Sequence, residues 1–120
     1  MDRRVQAVIN YMLEDLTQPL RLEELAHSVN LSASRLQHLF KADTNMTATQ
    51  YLRFLRMEEA RKLIESSFLT TKEIMYKVGI KDESHFVREF KKSYGLPPAS
   101  YRRCLPTLRI IRTDNKYANR

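Results

Sequence analysis

One pattern occurs twice in this chain of 120 residues. Glu24, Leu25, Val29, Asn30 and Leu31 return as Glu73, Ile74, Val78, Gly79 and Ile80, each 49 positions later. Beyond the turn the offset becomes 50: Ser32 pairs with Asp82, Leu36 with Phe86, Phe40 with Phe90, Lys41 with Lys91, Asn45 with Gly95 and Tyr51 with Tyr101. One residue has been gained inside the second turn. Each copy reads as helix, tight turn, second helix and aromatic anchor. A duplication of that kind constrains the fold more than any single motif, because it fixes the type and order of most elements at once.

The apolar spacing supplies the helices. Val5, Val8, Ile9, Met12, Leu13 and Leu16 follow the stripe of an amphipathic helix over about residues 3–15, which Gln18 and Pro19 should end. A second helix over 22–29 turns Leu22, Leu25, Ala26 and Val29 inward. Asn30 stands where a left-handed turn residue is wanted. Ser32 caps a third helix with Leu36, Leu39 and Phe40 as its core stripe, closed by Asn45. Thr47 and Gln50 form a capping box that opens the longest helix, 48–65, roughly 27 Å at 1.5 Å per residue. Thr70 and Glu73 form another, and that fifth helix runs to the Gly79 turn. Asp82 caps a sixth helix with Phe86, Val87 and Phe90 inward and Gly95 at its end. Pro97 and Pro98 start a seventh, which carries Tyr101 and Leu105.

No segment alternates apolar and polar residues as a strand would. The expected class is therefore all-α: seven helices, in two helix-turn-helix (homeodomain-like) subdomains over 1–46 and 67–105. A linker helix over 47–66 joins them, and a basic tail over 106–120, with Arg109, Arg112, Lys116 and Arg120, follows.

Charge points to a partner. Lys and Arg number 21 against 14 Asp and Glu, a formal net charge of +7 and a pI near 9.8. A basic surface alone fits any solvated protein. Joined to a duplicated helix-turn-helix, it predicts two reading heads for double-stranded DNA. The lone Cys104 excludes an intramolecular disulfide and a multi-cysteine zinc site, and reads as a small buried residue of the last helix. His27, His38 and His85 have no zinc-binding spacing, so no metal and no cofactor is expected. No nucleophile–base constellation stands out, and the chain does not read as an enzyme. The N-terminus has no apolar leader, and no stretch approaches the ~18 apolar residues of a membrane span. The expected place is the bacterial cytoplasm, on the nucleoid.

The outer faces of the third and sixth helices carry residue types that reach base edges and phosphates. Ala33, Ser34, Gln37, His38 and Lys41 lie on the third; Ser84, His85, Arg88, Glu89 and Lys92 lie on the sixth. Gln pairs bidentately with adenine and Arg with guanine. Small residues permit close approach, and Arg35, Lys41, Lys91 and Lys92 suit phosphates. Glu89 could accept from cytosine or lie off the contact face.

These residues also carry a resemblance. Leu22-Glu-Glu-Leu-Ala26 followed by Leu31-Ser-x-Ser-Arg-Leu-x-x-Leu-Phe-Lys41 resembles the first helix-turn-helix of the AraC/XylS transcription-regulator family. Phe86-x-Arg-x-Phe-Lys91 followed by Gly95-x-x-Pro98-x-x-Tyr101-Arg102 resembles the second, and that ending is the family's most distinctive part. The match covers about residues 5–105 and is similar to the stand-alone MarA/SoxS/Rob type. It implies recognition helices in adjacent major grooves on one DNA face. It places Ser34, Gln37 and His38, with Ser84, His85 and Arg88, at base-facing positions. It implies a sequence-specific regulator, an activator that meets RNA polymerase. Because both reading heads lie in one chain, binding as a monomer is expected unless a longer chain adds a dimerisation domain. Ser34 stands where that type has a bulky aromatic, and His38 where it has Arg, so no operator carries over. Arg21 sits where the first unit would welcome a helix cap. The competing reading is a helical protein-interaction module. Solenoids of helix pairs need several copies at a shorter period, and two unequal units do not stack into one.

Overall fold

In the computed structural model, which describes residues 1–105, the apolar stripes close over two separate cores. Among the described residues there are seven helices and no strand: α1 (Arg3–Glu14), α2 (Leu22–Ser28), α3 (Ala33–Thr44), α4 (Ala48–Ser66), α5 (Thr71–Lys77), α6 (Glu83–Tyr94) and α7 (Pro98–Arg103). The basic tail expected over 106–120 lies outside the described residues.

Most helix starts are held by a side chain that satisfies a free backbone N–H. Asp2, Ser32 and Asp82 accept from the backbone N–H of Arg4, Arg35 and His85. Thr47 with Gln50, and Thr70 with Glu73, exchange both bonds of a capping box at 3.0–3.1 Å. The start of α2 differs: Arg21 makes no cap bond, and its guanidinium lies 3.6 Å from the Glu24 carboxylate instead.

The two turns are built alike. Leu31 N–H donates to the Ala26 carbonyl at 2.8 Å, and Ile80 N–H to that of Met75 at 3.0 Å. Both close a Schellman turn, which requires a left-handed residue just past the helix end. Asn30 supplies it in the first copy with φ 62°, and Gly79 in the second with φ 84°.

The first core gathers Val5, Val8, Ile9 and Met12 of α1 with Leu25, Ala26, Leu36, Phe40, Ala48 and Leu52. The second gathers Met57, Ala60 and Ile64 with Ile74, Met75, Val78, Phe86, Phe90 and Tyr101. The aromatic anchors repeat in geometry as well as sequence. Tyr51 meets Phe40 edge-on with centroids 5.4 Å apart, and Tyr101 meets Phe90 the same way at 5.4 Å. The 19 residues of α4, about 28 Å, serve both cores, passing from the first to the second between Leu55 and Met57.

A polar cluster fixes the second half of α4. Arg61 donates to Glu58 at 3.1 Å and to Glu65 at 2.9 Å. The hydroxyls of Tyr94 and Tyr101 donate to the same two carboxylates at 2.7 and 2.6 Å. The Arg61 and Tyr94 bonds hold the Glu58 carboxyl below its ordinary value of 4.5. Burial, and then Glu58 itself, push the Tyr94 hydroxyl up. A carboxylate with a depressed folded-state pKa binds its proton more readily when unfolded. Its contribution is therefore complete above the ordinary glutamate pKa and is lost as pH falls through the lower folded value. Glu58→Gln should cost roughly 1 kcal/mol at neutral pH and flatten part of the acid limb. Urea melts at about pH 7 and about pH 3 check this; an unchanged acid limb would show that Glu58 contributes nothing to it.

Two arginines tie loops to helices. Arg56 of α4 donates to the carbonyls of Leu16 and Gln18, at 2.8 and 3.1 Å. Arg102 of α7 donates to those of Ile64, Leu69 and Ser67. The loop that Arg56 holds also meets the second turn, because Gly79 lies directly against the backbone of Leu16 and Thr17.

Four expectations need correction. First, α1 ends at Glu14, ahead of Gln18 and Pro19. The Asp15 carboxylate accepts from the Thr17 N–H, the Thr17 hydroxyl and the Gln18 amide, and that turn stops the helix first. Second, Leu13, placed in the α1 stripe, is 55% exposed, because Leu16 reaches the core from the loop instead. Third, Cys104 is exposed, because it terminates α7 rather than sitting within it. Fourth, Val87 is half-buried and does not pack on the second core, which Phe86 and Phe90 already fill from α6.

Candidate nucleic-acid interface

Burying Leu36 and Phe40 inside α3 leaves the opposite side of that helix in solvent. Ser34, Gln37, His38 and Lys41 are all exposed, and their i, i+3, i+4, i+7 spacing makes one stripe. In α6, buried Phe86 and Phe90 turn Ser84, Val87, Arg88 and Lys91 outward in the same register. The offset of 50 therefore pairs Ser34 with Ser84, Gln37 with Val87, His38 with Arg88 and Lys41 with Lys91.

The expected base-facing residues do not all share the stripe. Ser34, Gln37 and His38 come together on α3, and Ser84 and Arg88 on α6. His85 lies about 60° round the helix from Arg88 and within about 20° of Lys92; it is half-buried. Its repeat mate Arg35 takes the same flank of α3 and is exposed. Glu89 turns toward α4, where it lines a groove with Gln50, Arg53, Phe54 and Tyr94, so it lies off the stripe.

Among the described residues, none of the side chains of Ser34, Arg35, Gln37, His38, Lys41, Ser84, His85, Arg88, Lys91 or Lys92 makes a hydrogen bond or ion pair within the chain. Their donors and acceptors are available to a partner. Lys41 falls in the last turn of α3, and Lys91 and Lys92 in the last turn of α6. There they also complement the negative end of each helix. The outer stripe of α6 is not wholly polar. Glu83, Ser84, Val87 and Arg88 line an open concavity of about 560 Å³. Sequence periodicity missed Val87 as a surface residue; its pairing with the polar Gln37 across the repeat was the signal that could have found it.

Among the described residues, no group of His, Cys, Asp and Glu could hold a metal ion, and no helix is long and apolar enough to cross a membrane. The two stripes offer hydrogen-bonding groups and positive charge, with the apolar Val87 among them on α6.

Comparison with known proteins finds related sequences and the same fold. A family model described as a helix-turn-helix domain matches residues 25–104. The MmsAB operon regulatory protein of Pseudomonas aeruginosa is 38% identical over 92 residues, which are 77% of this chain and 30% of the relative. The C-terminal domain of AraT, a response regulator from Geobacillus stearothermophilus, superposes with a TM-score of 0.76 at 31% identity, covering 85% of each chain. The DNA-binding domain of AdpA, solved in complex with a target DNA, superposes with a TM-score of 0.80, covering 90% of this chain and 97% of that one; at 24% identity this is a likeness of fold. The chain spans about a third of the length of the curated relatives it matches.

Proposed function

Because the chain belongs to the AraC-type helix-turn-helix family, we propose that it is the part of a transcription regulator that recognises a specific double-stranded DNA site, with α3 and α6 in adjacent major grooves. The observation that carries this reading is the pair of outward stripes, in one register on two equivalent helices, with no partner for their polar groups among the described residues. Gln37, His38 and Ser34 read bases in one groove, and Ser84 and Arg88 in the next. Arg35, Lys41, Lys91 and Lys92 contact phosphates, and His85, on the flank beside Lys92, reaches either a base edge or the backbone. The units over 1–46 and 67–105 act as the two heads, and the helix over 47–66 sets their spacing. Because both heads lie in one chain, a monomer suffices for an asymmetric site. Activation, and with it contact to RNA polymerase on the nucleoid, belongs to the same proposal.

In vitro selection of bound duplexes tests it. The expected product is one asymmetric site with two short preferred blocks about one helical turn apart, occupied by one protomer. Failure to enrich any sequence would defeat the proposal, and a strict palindrome bound by two protomers would defeat its monomer form.

The assignment of individual residues has its own test. Gln37→Ala and Arg88→Ala should each relax preference at a different position of the site, by roughly 1–3 kcal/mol. Lys41→Ala should weaken all sequences about equally, since a phosphate carries no base identity. Binding measured on a panel of single-base variants separates the two patterns. Uniform loss for Gln37→Ala or Arg88→Ala would remove that residue from the reading set.

A further inference from the structure

Val87 is an apolar side chain in a polar stripe. It sits three residues after Ser84 and one before Arg88, at the position that Gln37 occupies in the first unit. It is half-buried, yet it is not among the partly buried apolar residues packed on the second core. Its side chain lines the concavity it shares with Glu83, Ser84 and Arg88.

An isopropyl group can neither donate nor accept a hydrogen bond. The major groove offers it one matching feature, the C5-methyl of thymine, which cytosine lacks. The β-branch restricts Val87 to few rotamers, so its methyls are held in place before any contact forms. Ser84, one turn earlier on the stripe, is small enough for this part of α6 to come close to the bases. Resting on the DNA-reading function proposed above, we infer that Val87 is a specificity-determining residue that packs on the C5-methyl of a thymine, in the base pair next to the one Arg88 reads. The second unit then adds an apolar reader to Ser84 and Arg88, at the position where the first unit has the hydrogen-bonding Gln37.

The test starts from the site selected by the unaltered chain. Each thymine is replaced singly by deoxyuridine, which removes the methyl and keeps every hydrogen-bonding group. One replacement should weaken binding about fourfold, the worth of one buried methyl. Val87→Ala should bind thymine and deoxyuridine at that position equally well. Val87→Thr, which keeps one methyl, should retain part of the preference. A helical circular-dichroism spectrum confirms that each variant is folded, and the comparison between the two duplexes cancels any general loss of affinity. The inference is overturned if the unaltered chain is indifferent to every replacement, or if Val87→Ala keeps the same discrimination. If the selection enriches no site at all, the DNA-reading proposal fails first and this inference with it.

Discussion

Gly79→Ala should destabilise the chain by roughly 3 kcal/mol or more, a large share of the stability of a domain this size. Two independent costs meet at this position. Gly79 has φ +84°, a left-handed conformation that costs other residues about 1–2 kcal/mol. A Cβ there would also lie 2.7 Å from the Thr17 Cα and 2.8 Å from the Leu16 carbonyl oxygen. Both are backbone atoms of a loop that Arg56 holds, so the clash cannot be relieved by turning a side chain. Gly95 separates the two costs. It has φ +86° but nothing within 4 Å of its would-be Cβ, so Gly95→Ala should cost only the conformational part. Asn tolerates left-handed geometry, as Asn30 and Asn45 show at the matching positions of the first unit. Gly95→Asn should therefore be nearly neutral, while Gly79→Asn should still cost roughly 2 kcal/mol. Urea melts of the four variants decide it. Equal, mild effects of the two Asn substitutions would mean that the Leu16 and Thr17 backbone yields.

Inserting one alanine after Arg56 should reduce affinity for the full site about a hundredfold or more and shorten the footprint to one block. The place follows from the packing, since α4 passes from the first core to the second between Leu55 and Met57. One added residue turns everything beyond it by about 100° and moves it about 1.5 Å. Arg56 stays with the first unit. Glu58, Arg61 and Tyr94 move together with the second, so each core keeps its own contacts. What is lost is the common facing of α3 and α6, and the seat of Gly79 on the α1–α2 loop. Two linked heads gain about 10²–10⁴ over one when both can bind, and nothing when geometry forbids it. A footprinting titration on the selected site measures the outcome, after cooperative melting has shown the variant to be folded. Full protection at unaltered affinity would show that the heads are flexibly coupled.

Much of this architecture was legible in the residues. The capping boxes at Thr47 and Thr70, the caps Ser32 and Asp82, and the left-handed Asn45 and Gly95 are local chemistry, and local chemistry can be read along a chain. The duplication supplied the order of elements. What stayed hidden was the set of contacts between residues far apart. The need for left-handed geometry at Gly79 was visible, but not that Leu16 and Thr17 lie against it, which explains Gly there and Asn in the first copy. Arg56 carried no signal, and Arg102 stood out only as the end of the Gly95-to-Arg102 motif, because their acceptors are backbone carbonyls 33–40 residues away. Val87 fell to a coarser error. A three-residue apolar cluster was assigned wholly inward, although two Phe side chains already fill the core from α6. The exposure of the stripes followed from periodicity, but the displacement of His85 toward Lys92 appears only on placing it round the helix.

The freedom of the two stripes from the rest of the chain has a consequence for change over time. The side chains at 34, 37, 38, 84 and 88 support no core and hold no cap within the described residues. Replacing one therefore leaves folding nearly untouched, since exposed substitutions away from such features usually shift stability by less than about 0.5 kcal/mol. Target preference can drift, or be redesigned, one position at a time, while the cores, turns and loop-binding arginines remain under separate constraint. A library randomised at those five positions should consist mostly of folded proteins that differ in the duplex they select.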